Sequence, residues 1–119
     1  MKYLCIVLLI PCMIAACCKA GVDEKKIVID KNSTIIDVRT EQEYKEGHLK
    51  NSIHIPLADI KNKINDQVKD KDQKIILYCR SGRRSGIAEK ILKEMGYKNV
   101  VNAGAYDKLK KLESDKQKE

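Results

Sequence analysis

Apolar and polar positions along this chain fall into alternating blocks that predict strands and helices in turn. Thr34 to Val38 (Thr-Ile-Ile-Asp-Val) is a β-branched run and predicts a buried strand. Lys26 to Ile29 predicts a short edge strand before it. Thr40-Glu41-Gln42-Glu43 matches a capping box, in which threonine and glutamate side chains satisfy each other's backbone N–H groups, and predicts a short helix ending near Gly47. Ile53-His54-Ile55 predicts a second strand, stopped by Pro56. Leu57, Ile60, Ile64 and Val68 recur at helical spacing and predict an amphipathic helix over 57–68. Lys74 to Tyr78 (Lys-Ile-Ile-Leu-Tyr) carries the continuous apolar pattern of a parallel strand buried on both faces. Ile87, Ala88, Ile91, Leu92 and Met95 mark one face of a helix that Gly96 terminates. Asn99-Val100-Val101 predicts a last short strand, and Leu109 and Leu112 lie in a lysine-rich tail predicted to be helical and frayed. Strands alternating with helices predict an α/β fold: a small, mostly parallel sheet of four to five strands with helices on both faces.

Composition narrows the function classes. The 119 residues suit one domain. The net charge of +7 comes from lysines interleaved with Asp and Glu, as in Lys61 to Lys74, which is the pattern of a solvated surface. With no Trp, no Phe and five Tyr, the core is aliphatic, and a base-stacking platform would lack its aromatics, so no nucleic-acid partner is expected. No internal repeat is visible, which sets aside solenoids and propellers.

The N-terminus reads as an address. Tyr3 to Cys18 carries no charge, Lys2 supplies a positive start and Leu4 to Ile14 an apolar stretch, together a secretory signal. The stretch is shorter than the ~20 residues of a spanning helix. Ile14-Ala15-Ala16-Cys17 resembles the lipobox of bacterial lipoproteins. That resemblance implies cleavage before Cys17, acylation of Cys17, and an exported protein anchored in a bacterial cell membrane, facing the periplasm or the exterior. A plain signal peptide and a short membrane helix are the other readings. The chain then divides into a signal peptide over 1–16, a lipidated Cys17 and tether over 17–26, a folded domain over 27–106, and a charged tail over 107–119.

The five cysteines stand at 5, 12, 17, 18 and 79. Once the signal is removed, Cys18 in the tether and Cys79 in the body offer no disulfide framework and no paired zinc ligands, and His48 and His54 are isolated, so no metal site is expected. Cys79 is either an inert core thiol or a reactive one. It ends the most apolar strand and opens the segment Cys79-Arg80-Ser81-Gly82-Arg83-Arg84-Ser85-Gly86, at the strand ends where open parallel sheets bind ligands. The small residues Ser81 and Gly82 let backbone N–H groups converge on one point, and a helix N-terminus follows. Arg80, Arg83 and Arg84 add cations. Amide nest, helix N-terminus and cations are the routes to a low cysteine pKa, so Cys79 is expected to be a thiolate nucleophile that needs no paired base. Ser85 completes the loop.

These residues resemble the rhodanese-like domains from about Ile35 to Tyr106. The resemblance rests on Asp37-Val38-Arg39, Glu43-Tyr44, Gly47-His48-Leu49 and Ser52-Ile53-His54-Ile55-Pro56-Leu57, then on the cysteine loop, then on Met95 to Val100 with Asn102-Ala103-Gly104. Ala105 stands where the family has a second glycine, the tryptophan that often follows is absent, and the family's first helix is missing. The related dual-specificity phosphatases carry a loop one residue longer, Cys-x-x-x-x-x-Arg, whereas Arg84 follows Cys79 by five positions, which favours sulfur transfer. The resemblance implies that Cys79 takes the sulfane sulfur of thiosulfate or a similar donor, that the loop Arg80 to Ser85 binds the donor and holds the persulfide, and that cyanide or a thiol accepts the sulfur. No cofactor is implied, and a monomer is expected. Asp37, Arg39 and Glu43 look catalytic in type; Asp37 and Arg39 are expected to brace the loop through hydrogen bonds and ion pairs. His48 reads as a structural hydrogen-bonding residue, His54 as packing, and Tyr106 as either pocket rim or core. The alternative is an exported persulfide or redox carrier, or a binding module, for one protein partner; Cys18 could cap Cys79 as a disulfide.

Overall fold

The computed structural model describes residues 27–118. The signal, Cys17 and Cys18 lie outside the described residues, and among those described no helix is long and apolar enough to cross a membrane.

Four parallel strands form one sheet in the order β2-β1-β3-β4: β1 (Thr34–Asp37), β2 (Ile53–His54), β3 (Ile75–Cys79) and β4 (Val100–Ala105). Between and after them run α1 (Glu41–Glu46), a 3-10 turn (Leu57–Asp59) leading into α2 (Ile60–Gln67), α3 (Arg83–Glu94) and α4 (Tyr106–Lys116). Every residue of β3 is buried, as its continuous apolar pattern requires of a central strand covered on both faces. Because successive side chains of a strand point to opposite faces, β1 and β3 build two cores. Ile36, Val38, Ile75, Leu77 and Cys79 pack with Ile60, Ile64, Ala88, Leu92 and Tyr97 beneath α2 and α3. Ile35, Ile76 and Tyr78 pack with Leu49, Ala103 and Leu109 beneath α4.

Local chemistry sets the boundaries. Thr40 caps α1 with its hydroxyl on the Glu43 N–H, while the Glu43 carboxylate accepts the Thr40 N–H, the expected capping box. Gly96 leaves α3 with φ +97°, a left-handed conformation that suits glycine.

Four expectations change. Ile27 to Asp30 form no strand: both edges of β1 are occupied by β2 and β3, and Ile27 and Ile29 instead pack against the second core. Ile87 is 45% exposed; the buried stripe of α3 is Ser85, Ala88 and Leu92, since a stripe through 88 and 92 extends back to 85 rather than to 87. The final strand runs four residues past Val101, through small residues of low strand propensity, with a register shift where Leu77 pairs with Asn102 but Tyr78 with Gly104. The tail from Asp107 is part of a helix whose Leu109 is 1% exposed within the second core.

Candidate active site

Cys79 is the last residue of β3, and α3 begins only four positions later, so the chain must turn back sharply over the sulfur. Gly82 makes that turn. It is the N-cap of α3 at φ +95°, and a Cβ placed on it would lie 3.2 Å from the Gly104 Cα. Gly82→Ala therefore combines left-handed strain with a tight contact that the Gly104 backbone must give way to. We expect it to cost about 2–4 kcal/mol, against about 1–2 for Gly104→Ala, where φ is +85° but the space is open. Denaturant melts of the two variants compare them directly.

The turn aims donors at the sulfur. The Gly82 N–H donates to Cys79 Sγ at 2.9 Å, and the Ser85 hydroxyl lies 3.5 Å from it. Burial pushes the Cys79 thiol up, but hydrogen bonds from the Ser85 hydroxyl and from the Ser85, Ser81 and Gly82 backbone outweigh it and leave the thiol below its ordinary value. Cys79 itself is 0% exposed, so its sulfur is recessed beneath the loop.

The arginines divide. Arg80 and Arg83 are exposed and hold no ion pair among the described residues. Arg84 is not free for an anion: it forms a two-pronged pair with Glu43 across to α1, Nη1 to Oε2 at 2.8 Å and Nη2 to Oε1 at 2.9 Å. The donors that lower the thiol most are thus amides and a hydroxyl, while Arg84 reaches the sulfur only through its charge and not as a hydrogen-bond donor. Arg84 holds the Glu43 carboxyl at about 2, well below its ordinary 4.5; burial opposes this and Thr40 assists. A carboxyl depressed on folding stabilises the fold fully above its unfolded pKa. That contribution, about 1 kcal/mol for a partly exposed pair, is complete above pH 4.5 and is lost as pH falls from there toward 2. In Glu43→Gln the melting temperature is expected to fall less steeply over this acid range, which thermal melts across it will check.

Asp37 and Arg39 come together, but not at the loop. The buried Asp37 carboxylate accepts Arg39 Nη2 at 2.7 Å, Nε at 3.0 Å and the Arg39 backbone N–H at 2.9 Å, and Arg39 Nη2 also donates to the Gly47 carbonyl at 2.6 Å. The Arg39 guanidinium lies over the Tyr106 ring, 4.4 Å from its centroid, and Tyr106 stacks on Tyr78. Since Tyr78 and Cys79 are adjacent in one strand, this cluster is on the opposite sheet face from the sulfur. The expected brace is corrected accordingly: Asp37 and Arg39 hold the end of α1, and Tyr106 is a core contact. His48 Nδ1 donates to the Tyr44 carbonyl and His54 Nε2 to the Arg39 carbonyl, with both rings stacked on Tyr44.

One loop partner, Asn102, stood in the closing signature of the sequence with no role assigned to it. Asn102 Oδ1 accepts the Ser85 hydroxyl at 2.6 Å and the Gly104 N–H at 2.9 Å, while Nδ2 donates to the Gly82 carbonyl at 3.0 Å. The strand expected to end at Val101 hid these bonds, because it left Asn102 outside the sheet.

Comparison with known proteins bears on the family and the fold. The thiosulfate sulfurtransferase PspE of Escherichia coli K12 is 46% identical over 69 residues, 58% of this chain and 66% of PspE. YrkF of Bacillus subtilis 168, described as a candidate sulfur carrier, is 34% identical over 79 residues, 66% of this chain and 42% of its own length. The chain thus spans just under two thirds of one relative and less than half of the other. An E. coli rhodanese solved with anions superposes with a TM-score of 0.62 at 43% identity, over 63% of this chain and 88% of that one. A Helicobacter pylori 26695 protein solved by NMR gives 0.56 at 34% identity, over 67% and 74%. The family model of the rhodanese-like domain matches residues 17–111, and the chain belongs to that sulfurtransferase family.

Proposed function

We propose that this chain is a thiosulfate sulfurtransferase working through a persulfide on Cys79. The observation that carries the reading is the donor set on the sulfur: the Gly82 N–H at 2.9 Å, with the Ser85 hydroxyl behind it at the start of α3. A thiolate so stabilised attacks the outer sulfur of thiosulfate. The new S–S bond forms as the old one breaks, and its electron pair leaves with sulfite. The resulting Cys79 persulfide carries its negative charge on the terminal sulfur, within the same amides. Cyanide or a thiolate then attacks that terminal sulfur, and the Cys79 thiolate is regenerated with no net change. Arg80 and Arg83, exposed at the loop, draw in the dianionic donor and steady the departing sulfite. Arg84 works through Glu43, tying α3 to α1 so that the loop keeps its shape.

Since Cys79 is wholly covered, the donor meets it only when the exposed half of the loop, Arg80 and Ser81, gives way. A slender terminal sulfur suits such an opening better than a bulky group does. Anchoring through Cys17 would hold this monomeric domain at a membrane surface on the exported side, with 17–26 as tether and a catalytic body that runs from 27 into α4, whose Leu109 closes the second core. The likeness to YrkF favours a second reading, in which the persulfide serves one protein thiol and thiosulfate is a poor donor.

The test is intact mass of the chain lacking residues 1–18, before and after thiosulfate. That fragment keeps every residue of the two cores and leaves Cys79 as its sole cysteine. A gain of one sulfur atom that cyanide removes is expected. No gain overturns the thiosulfate reading; a gain only from a protein persulfide favours the carrier.

A further inference from the structure

The Ser85 hydroxyl carries one proton and faces three acceptors. Asn102 Oδ1 is 2.6 Å away, the Gly82 carbonyl 3.1 Å and Cys79 Sγ 3.5 Å, so the sulfur is the most distant. A hydroxyl donates to one acceptor at a time, so what Asn102 takes the sulfur loses.

The Asn102 amide cannot turn round to relieve this. Its Oδ1 also accepts the Gly104 N–H at 2.9 Å, and its Nδ2 donates to the Gly82 carbonyl at 3.0 Å. A flipped amide would set N–H against N–H and oxygen against oxygen. The register shift in β4 holds it there: Asn102 pairs with Leu77 and Gly104 with Tyr78, leaving Ala103 as the extra residue and Gly104 free to bend at φ +85°. The Gly82 carbonyl is not short of partners either, because it accepts the Gly86 N–H of α3 at 3.0 Å.

We propose that Asn102 is a positioning residue that competes with the Cys79 sulfur for the single Ser85 hydroxyl proton. It holds that proton while the sulfur is neutral and yields it when the sulfur becomes negative, as thiolate or persulfide. The proton turns about the Cβ–Oγ bond and no covalent bond changes. A hydrogen bond to a charged acceptor is roughly twice as strong as one between neutral groups, which is what lets the sulfur win once ionised. Asn102 thereby limits how far Ser85 can lower the thiol.

Few other charges bear on the sulfur. From α3 and α1 come Arg84 and its partner Glu43, and neither is bonded to Ser85 or Asn102. Arg80 and Arg83 are exposed beside it. The 57–67 segment presents Leu57, Ile60 and Ile64 to this core, β4 has no ionisable residue, and Asp37 and Arg39 are on the other sheet face. None of these charged groups is hydrogen-bonded to Asn102.

The inference rests on the nucleophilic reading of Cys79, so its test uses no sulfur donor. Cys79 in the chain lacking residues 1–18 is alkylated with iodoacetamide from about pH 5 to 9, rates are read by intact mass, and the midpoint reports the thiolate. Asn102→Leu, of similar volume, is compared in the parent and in Ser85→Ala. The midpoint is expected to fall by about half a pH unit with Ser85 present and to stay unmoved without it. The same shift in both backgrounds, an upward shift, or none in the parent overturns the proposal, because Asn102 then acts only as a loop brace. Asn102→Ala, measured alongside, gives the same comparison if the leucine variant does not fold. Failure of sulfur loading from thiosulfate would leave this result standing.

Discussion

Replacing Cys79 by serine is expected to abolish sulfur transfer while leaving the fold almost unchanged. The oxygen takes the place of the sulfur with little change of volume, in a site where the Gly82 N–H is already aimed at an acceptor. The Gly82 N–H that served the sulfur serves the hydroxyl oxygen and the Ser85 hydroxyl keeps Asn102, so no buried polar group loses its partner, and the melting temperature should move by only a few degrees. Chemistry is another matter. A serine hydroxyl is not ionised near neutral pH, and the loop has no paired base to remove its proton. An oxygen nucleophile also forms no persulfide to store the sulfur between half-reactions. Transfer from thiosulfate to cyanide should fall by about ten-thousand-fold or more, and the mass gain should vanish. A serine variant that still gained sulfur would move the nucleophile elsewhere, and one that failed to fold would make Cys79 a core residue first.

The parts of this molecule legible in its sequence are those whose signals are local. The capping box at Thr40 and Glu43 spans four residues, and its two hydrogen bonds follow from their spacing. β3 is a single uninterrupted apolar run, so its central place in the sheet could be read before any neighbour was known. The cysteine loop was legible because strand end, glycine and helix start are contiguous. What could not be read are the pairings between distant segments. Glu43 and Arg84 are 41 residues apart, and each has a sufficient local explanation, one as a cap and the other as a loop cation. Only their meeting across α1 and α3 removes Arg84 from the set of free anion binders.

Asp37 and Arg39 failed differently. The sequence placed them at a strand end near the loop, but period-two alternation carries Asp37 to the face of Tyr78, away from Cys79. The strand placement of Asn102, though not the residue, was hidden by propensity: Asn-Ala-Gly-Ala resembles no strand, and it becomes one because Leu77, Tyr78 and Cys79 offer it a ladder. Tertiary pairing overrode local preference at the place where the loop needed a partner.

The Asp37–Arg39 pair gives the largest expected loss of stability. Asp37 is 0% exposed and Arg39 5%, so neither charge has water to fall back on. Burial lowers the Arg39 pKa, and the hydrogen bonds and charge of Asp37 more than restore it. Taking away the carboxylate leaves a buried guanidinium with only the Gly47 carbonyl and the ring faces of Tyr78 and Tyr106. Breaking a buried pair from one side costs about 3–5 kcal/mol, a large part of the 5–15 that a small domain possesses. Asp37→Ala is therefore expected to lower the melting temperature by more than about 10 °C. Replacing both partners with apolar residues, Asp37→Leu with Arg39→Met, should cost less than the single change, because no charge is then stranded. The cluster is on the sheet face opposite the sulfur, so Cys79 in the folded fraction of either variant should alkylate at the parent rate. A single-variant loss below about 1 kcal/mol would mean that Arg39 swings out to solvent. A changed alkylation rate would instead join this cluster to the loop, as its place in the sequence first suggested.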